Sequence, residues 1–395
     1  MDFTPIAPTN NRGVIPPDLL RKAEDLISSS AVLTGNHPKE TIDAVKECLR
    51  TTNSYYSNKI ESEGTRPVDI ERAMKKEFDS DDKKRALQML SLAHIETQKQ
   101  IEQAAQNEMF NPYATDFICD VHKTLYSQEG MESFLQLKHQ GLQERLVPGQ
   151  LRTRDVAIGD HVAPSADELS SLMGKYELLY SRSLAETRVS QLVHALASHH
   201  RLAYLHPFLD GNGRTSRLVL DGALLSIKVD GYGLWNISRG LARDENAYKT
   251  ALANADLKRQ GNYDGTGSLS LDALERFVSF MLECAQDQVN YMGKYLKMNS
   301  LVSRLEAYVI RSQQGDFTID PLPKNTQRIF KELLLKGEIK QRNEIDTILG
   351  ISRRGASAIT KELLQRGYLQ SDGPKKPLRL KIETHLAVHL FPELE

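Results

Sequence analysis

Apolar side chains recur every three to four positions along most of this chain, the spacing that gathers them on one face of a helix. After an opening stretch marked by Pro and Asn, the pattern turns helical from about Asp18, and Pro16-Pro17 just before it suits a helix entry. The helical period then dominates from about Thr41 to Tyr295. Turn clusters interrupt it at Glu63-Gly-Thr-Arg-Pro67, around Pro148, and from Asn262 to Ser270. Between Leu151 and Pro164 the pattern changes, with Val156, Ile158 and Val162 set around Gly159-Asp160, which predicts a short β-hairpin in helical surroundings. Towards the C-terminus, Asn325 to Lys336 predicts an amphipathic helix and Gln341 to Gly350 runs into a turn. Ile351 to Arg366 predicts a second helix with Ser352 as its N-cap. Gly367-Tyr-Leu and the basic run Gly373 to Lys381 follow as a two-stranded wing. There is no internal repeat and no low-complexity segment.

Composition narrows the field. A length of 395 residues suits two or three domains. The formal net charge of -1 leaves no global field that would mark a nucleic-acid or membrane protein, so any basic patch is local. Cys48, Cys119 and Cys284 are widely spaced, without metal-ligand spacing or a paired framework, and a reducing, cytoplasmic compartment is the expectation. The start Met-Asp-Phe-Thr-Pro has no basic and apolar leader, and no run of eighteen apolar residues occurs, so neither secretion nor membrane spanning is expected.

The candidate chemistry is concentrated in His206-Pro-Phe-Leu-Asp-Gly-Asn-Gly-Arg-Thr-Ser-Arg217. Gly211-Asn212-Gly213 permits positive φ and close backbone approach, so successive N–H groups can converge on an anion. Helical spacing from Arg214 to Ile227 places that turn at a helix N-terminus, where orphan N–H groups and the dipole favour phosphate. Arg214 and Arg217, three apart, can share a face, and their planar forks suit phosphate oxygens. Asp210 is a hard oxygen ligand of the kind Mg²⁺ takes alongside substrate phosphates. His206 is the motif's one group able to accept a proton near neutral pH. A glycine turn beside a histidine is usually just a helix start. Eight specified residues at fixed spacing, however, arise by chance on the order of 10⁻⁸ per chain.

These residues closely resemble the signature of the Fic (filamentation induced by cAMP) family, HxFx(D/E)GNGRxxR, at every specified position. The resemblance implies an α-helical domain that moves AMP from Mg·ATP to a hydroxyl side chain of a protein. It implies that His206 deprotonates that hydroxyl and Asp210 holds Mg²⁺ between the α- and β-phosphates. Asn212 would bind the α-phosphate, the backbone of Gly211 and Gly213 the β-phosphate, and Arg214 and Arg217 the phosphate tail. Phe208 would be core anchorage. Ile158, Gly159, Asp160 and His161 match the family's flap, a hairpin that holds an extended segment of the target by strand addition. Ser57-Asn-Lys-Ile-Glu61 resembles the inhibitory helix (S/T)xxxE(G/N), in which the glutamate pairs with the second motif arginine, here Arg217. Ser62 stands where that pattern has Gly or Asn. Glu63-Gly64 supplies the missing pair but sets Lys59 in the Ser/Thr position, so Glu61 is preferred. Tyr248 falls where family members place an adenosine-contacting tyrosine, and a core tyrosine would look the same.

Two further patterns bear on function. Asp264 to Glu275 has the outline of a calcium loop but Leu269 at its sixth position and no carboxylates at its third and fifth, so it reads as a turn followed by a helix. The C-terminal order of elements resembles a winged helix, with Arg353, Arg354 and Lys361 on the candidate recognition helix. Many winged helices bind only protein, which leaves DNA contact open.

The expectation is therefore a mainly α protein: a Fic-fold helical bundle with a small β-hairpin flap and a C-terminal winged helix. Residues 1–105 form the N-terminal helical region with the inhibitory helix, 106–300 the catalytic core, and 301–395 the winged helix. The expected function is AMP transfer from Mg-ATP to a Ser, Thr or Tyr hydroxyl of a target protein or of the chain itself, held down by Glu61. Removal of AMP at the same site, and a winged-helix transcriptional regulator with a nucleotide-sensing Fic domain, are the alternatives. A homo-oligomer is compatible with all three.

Overall fold

The computed structural model describes residues 14–35, 37–139, 142–159, 161–341, 343–392 and 394. The chain is mainly helical. It opens with α1 (Pro17–Thr34), α2 (Lys39–Ile60), α3 (Pro67–Met74), α4 (Asp82–Ala104) and α5 (Thr115–Tyr126). A 3₁₀ turn at Glu132–Leu135 leads into β1 (Gln136–His139) and β2 (Leu142–Arg145), then β3 (Ala157–Ile158) and β4 (His161–Val162). Next come α6 (Ala166–Ser183), α7 (Arg188–Leu205), α8 (Asn212–Ser226), α9 (Ile237–Arg243), α10 (Glu245–Ala255), α11 (Leu271–Tyr295) and α12 (Met298–Gln314). The chain ends in α13 (Thr326–Lys336), β5 (Glu338–Ile339), α14 (Glu344–Leu349), α15 (Arg353–Gln365), β6 (Leu369–Gln370), β7 (Leu378–Leu380) and α16 (Thr384–Leu390). Among the described residues no helix is long and apolar enough to cross a membrane.

Two compact units divide these elements. The first holds the chain up to Ala31, Asn53–Tyr232 and Asn236–Gln288; the second holds Val32–Thr52, Gly233–Trp235 and Val289–Glu395. In the first unit α7 and α8 pack against each other, with α6 beside α7 and α4 and α5 against α8. Both central helices are buried nearly all round, which is why their apolar stripe is less sharp in sequence than that of a surface helix. Such burial leaves α7 carrying His194, His199, His200 and Arg201 inside the core, each of them in a hydrogen bond or ion pair.

Two departures from the sequence pattern concern strands. Residues 136–139 and 142–145 pair as antiparallel strands, Gln136 opposite Arg145, inside a region whose periodicity reads as helix. Its strands are only four residues long, too short for alternation to stand out. In the second unit β6 and β7 pair antiparallel where the two-stranded wing is expected, and β5 adds a third antiparallel strand to give the order β5-β7-β6. Glu338–Ile339 is a two-residue pairing that no sequence pattern of that length can announce. The calcium-like loop is a turn. The buried Asp264 carboxylate accepts from the Gln260 and Asp272 N–H groups and from Ser270 Oγ, so protein donors occupy both of its oxygens.

Candidate active site

The site begins where α7 stops. His206 ends that helix at φ 47° in the left-handed region, which breaks the helical path and turns its ring into a cavity of about 470 Å³. The chain then reverses through Phe208 to Gly211 and enters α8. Gly211, at φ 77°, is the residue before that helix, and a Cβ there would lie 2.3 Å from the Tyr126 hydroxyl oxygen. Only glycine meets both demands. The N–H groups of Asn212, Gly213 and Arg214 then form the open first turn of α8.

Three buried side chains hold this loop. The Asn212 amide clamps it from within: Oδ1 accepts the Phe208 N–H at 2.9 Å and Nδ2 donates to the Phe208 carbonyl at 2.8 Å. His122 of α5 stacks on the Phe208 ring, centroids 3.9 Å apart and planes 12° apart. It accepts the Gly149 N–H at Nδ1, so Nε2 carries the hydrogen and donates to the Asp210 carbonyl at 3.2 Å. Burial pushes His122 down to about 4, which keeps it neutral for both bonds. Arg152, 3% exposed, donates from Nε to the His206 carbonyl (2.8 Å), from Nη1 to Arg154 (2.9 Å), and from Nη2 to the carbonyls of Pro164 (2.5 Å) and Leu205 (3.4 Å). One guanidinium thus ties the base of the β3–β4 hairpin to the end of α7.

The other wall of the site comes from the end of α2, which closes in a paired turn: Ser62 N–H bonds to the Lys59 carbonyl and Glu63 N–H to the Asn58 carbonyl. That geometry requires a left-handed residue at Ser62, whose φ is 61°. The inhibitory pattern's preference for Gly or Asn at this position thus has a backbone cause, and Ser62 carries strain that glycine would not. Ser62→Gly is expected to stabilise the fold by about 1 kcal/mol, read as a higher urea midpoint at unchanged m-value. An unchanged or lower midpoint would show that the turn carries no such strain.

The turn places two carboxylates against the two motif arginines. Arg217 donates to Ser57 Oγ from Nε (3.0 Å), and from Nη2 to the Ser57 carbonyl (2.8 Å) and to Glu61 Oε1 (2.8 Å). Arg214 donates to Glu63 Oε2 and, from Nε and Nη2, to the Tyr126 hydroxyl. Glu61 Oε1 lies where it would be only 2.1 Å from a Cβ on Gly213, so the carboxylate sits over the first turn of α8. Burial pushes the Glu61 carboxyl up, but Arg217 and Arg214 outweigh it and hold it below its ordinary value.

His206 faces the same cavity. Burial, then His161 and Arg152, push it down to about 4, so at neutral pH it is an unprotonated base. Tyr248 lines the cavity but is 2% exposed, and its hydroxyl lies 2.8 Å from His199 Nε2. His199 Nδ1 faces the Ser216 carbonyl, so Nε2 is the acceptor and the phenol is the donor. Asp210 is exposed, one carboxylate oxygen accepting the Gly211 N–H at 2.6 Å. Among the described residues no three His, Cys, Asp or Glu side chains converge as metal ligands. A single exposed carboxylate beside an anion site fits Mg²⁺ that arrives with nucleotide phosphates.

The β3–β4 hairpin pairs Ala157 with Val162 and Ile158 with His161. Ile158 and Val162 are exposed, and Ile158 and His161 line the cavity. Gly159 makes the turn at φ 57°; Asp160 lies outside the described residues. Sequence patterns pointed to His206, Asp210, the glycines, both arginines, Ser57 and Glu61. They offered Glu63 only as the less favoured alternative to Glu61, and they did not point to Arg152, His122, Tyr126, Lys249 or Asp256. The last two line the cavity from α10 and the residue after it.

The chain is similar in part of its sequence and in its fold to known proteins. Residues 112–224 match the Fic/DOC family profile. Over 77 residues the chain is 36% identical to a protein adenylyltransferase Fic of Drosophila yakuba and 35% identical to that of Drosophila melanogaster. Those matches cover 20% of this chain and about 15% of the relatives' length. The fold is similar to a Fic domain containing signaling protein from Bacteroides thetaiotaomicron VPI-5482 (TM-score 0.54, 20% identity, 70% of this chain and 97% of that one). It is also similar to a Fic family protein from Desulfovibrio desulfuricans G20 (TM-score 0.50, 18% identity, 93% and 97%).

Proposed function

We propose that this chain, whose residues 112–224 match the Fic/DOC family, is a protein adenylyltransferase that moves AMP from Mg-ATP to a Ser, Thr or Tyr hydroxyl of a target protein or of itself. The observation that carries this reading is the placement of an unprotonated His206 in a cavity shared with the open first turn of α8 and Arg217. A volume of about 470 Å³ is in the range of small-ligand sites.

In this reaction the target oxygen attacks the α-phosphorus as His206 takes the hydroxyl proton. The bond from the α-phosphorus to the bridging oxygen breaks, and pyrophosphate leaves. The N–H groups at the start of α8 and the forks of Arg214 and Arg217 hold the phosphates, so catalysis is positioning and charge neutralisation rather than covalent chemistry. Mg²⁺, held by Asp210 and the phosphates, would neutralise charge on the leaving group. With its amide committed to Phe208, Asn212 offers the α-phosphate its backbone N–H. The exposed edge of the β3–β4 hairpin would take the target segment. In this division of labour 1–105 regulate, 106–300 catalyse and 301–395 form a winged helix. Labelling decides the reading: α-³²P-ATP with Mg²⁺ is expected to leave label on protein and γ-³²P-ATP is not. Label from the γ-phosphate would mean phosphoryl transfer. Release of AMP from a premodified target would instead identify hydrolytic removal of AMP, with Glu61 orienting the attacking water.

One observation favours a second activity in the C-terminal unit. Arg353, Arg354 and Lys361 are exposed at and after the start of α15, without an ion pair among the described residues. Salt-dependent binding of duplex DNA, unaltered by His206→Ala, would support a DNA-contacting winged helix, and no salt-dependent binding would remove it.

A further inference from the structure

A carboxylate bridges two histidines beside the β3–β4 hairpin. Asp256, the residue after α10, places Oδ2 2.8 Å from His161 Nδ1 and Oδ1 3.1 Å from His200 Nε2. His161 Nε2 lies 3.0 Å from the Tyr204 carbonyl oxygen. A carboxylate and a carbonyl can only accept, so both bonds are made together only when both ring nitrogens of His161 carry hydrogen. His200 differs. Its Nδ1 faces the Arg201 guanidinium at 3.0 Å, which can only donate, while Nε2 donates to Asp256 and to the Leu252 carbonyl at 3.1 Å. His200 is therefore the neutral Nε2–H ring, which leaves His161 as the one partner able to bring Asp256 a charge.

We propose that Asp256 and the Tyr204 carbonyl hold His161 as a cation, and that this makes His161 a positioning residue: it latches the target-docking hairpin to the wall of the cavity and keeps the neighbouring His206 free of a proton. The hairpin needs such a latch. It has two pairs of residues, and an isolated two-stranded ladder is marginal in water. Its flanking Ile158 and Val162 are exposed, 45% and 73%, and add little to hold it. Through His161 the hairpin is tied to α7 at Tyr204 and to the end of α10 at Asp256. The pair is partly shielded, with His161 18% and Asp256 24% exposed, which preserves its strength against salt.

The charge acts on His206 at short range, since the two rings lie 6.3 Å apart. The other groups around them are His200, Arg201 and Tyr204 on α7, Arg152 at the hairpin base and Glu61 across the cavity. Glu61 raises His206 while His161 and Arg152 lower it, after burial itself. Burial pushes the Asp256 carboxyl up, but its bonds to His161 and His200 outweigh that and hold it at about 2, so the counter-charge persists throughout the working range.

The docking half of this inference rests on the AMP-transfer reading; the ionisation half does not. Long-range ¹H–¹⁵N spectra of the whole protein labelled with ¹⁵N-histidine test the ionisation, with His161 assigned by its loss in His161→Gln. Both ring nitrogens are expected to resonate as protonated nitrogens at neutral pH, and Asp256→Asn is expected to convert them to a neutral pair. A neutral His161 in the wild type overturns the inference. Kinetics with a protein target test the latch. His161→Gln and Asp256→Asn should each raise KM for the target about tenfold, leave KM for ATP within about twofold, and move the acid limb of kcat upward. An equal rise in KM for ATP, or an unmoved acid limb, rejects positioning. No transfer by any variant, including the wild type, would reject the AMP-transfer reading and leave the spectral result standing.

Discussion

Replacing His206 with alanine is expected to lower transfer of AMP by about 10² to 10⁴-fold, the usual worth of a positioned proton acceptor. The ring is turned into the cavity by a left-handed backbone, and among the described residues lining it no other group is both neutral and free to take a proton. Tyr248 donates to His199, and Glu61 is committed to Arg217. The pH profile should carry the signature of this base. His206 is pushed down to about 4, so activity is retained as pH falls from neutrality and is lost only as His206 is protonated near that value. Stability fails over a wider window. His94, His122 and His199, buried at about 3, 4 and 3, all have folded values below the unfolded value of about 6.5. The unfolded chain binds more protons, so stability is lost as pH drops below about 6.5. Circular dichroism at each pH separates the two effects. Transfer by a folded His206→Ala within tenfold of wild type would remove His206 from the chemistry.

The second large effect is a gain. Glu61→Gly is expected to raise incorporation of label from α-³²P-ATP by about 10 to 100-fold, since each 1.4 kcal/mol of misplacement costs a factor of ten. Glu61 Oε1 lies over the first turn of α8, against Gly213 and 2.8 Å from Arg217. A phosphate seeks the same N–H groups and the same guanidinium, and two anions do not share that space. Glu63 adds a separate hold because it pairs with Arg214, so Glu63→Gln should raise incorporation further in the Glu61→Gly background. A folded Glu61→Gly protein that incorporates no more label than wild type would show that the carboxylate does not restrain the reaction.

How much of this could be read along the chain depends on how local each part is. The base, the anion turn, the carboxylate and both arginines fall within twelve consecutive residues, because a helix end followed at once by a helix start delivers them all to one place. Ser57 and Glu61 were legible for the same reason, one helical turn apart. Glu63 was passed over as a poor match to the pattern, yet the turn at Ser62 aims it at Arg214. The strand pair at 136–139 and 142–145 was missed because short strands carry almost no periodicity.

The amino-acid sequence by itself determined the chemistry on offer: a base, a nest of N–H groups at a helix N-terminus and two guanidinium forks, whose spacing follows from local backbone geometry. Only the tertiary structure decided which groups restrain, support and ionise them. Arg152 acts on carbonyls 53 to 54 positions away, Glu61 on an arginine 156 positions away, and Asp256 on a histidine 95 positions away. Contacts across such separations leave no period in the sequence. They exist because packing the end of α2 with α7, α8 and α10 in one unit buries polar groups that must then find partners.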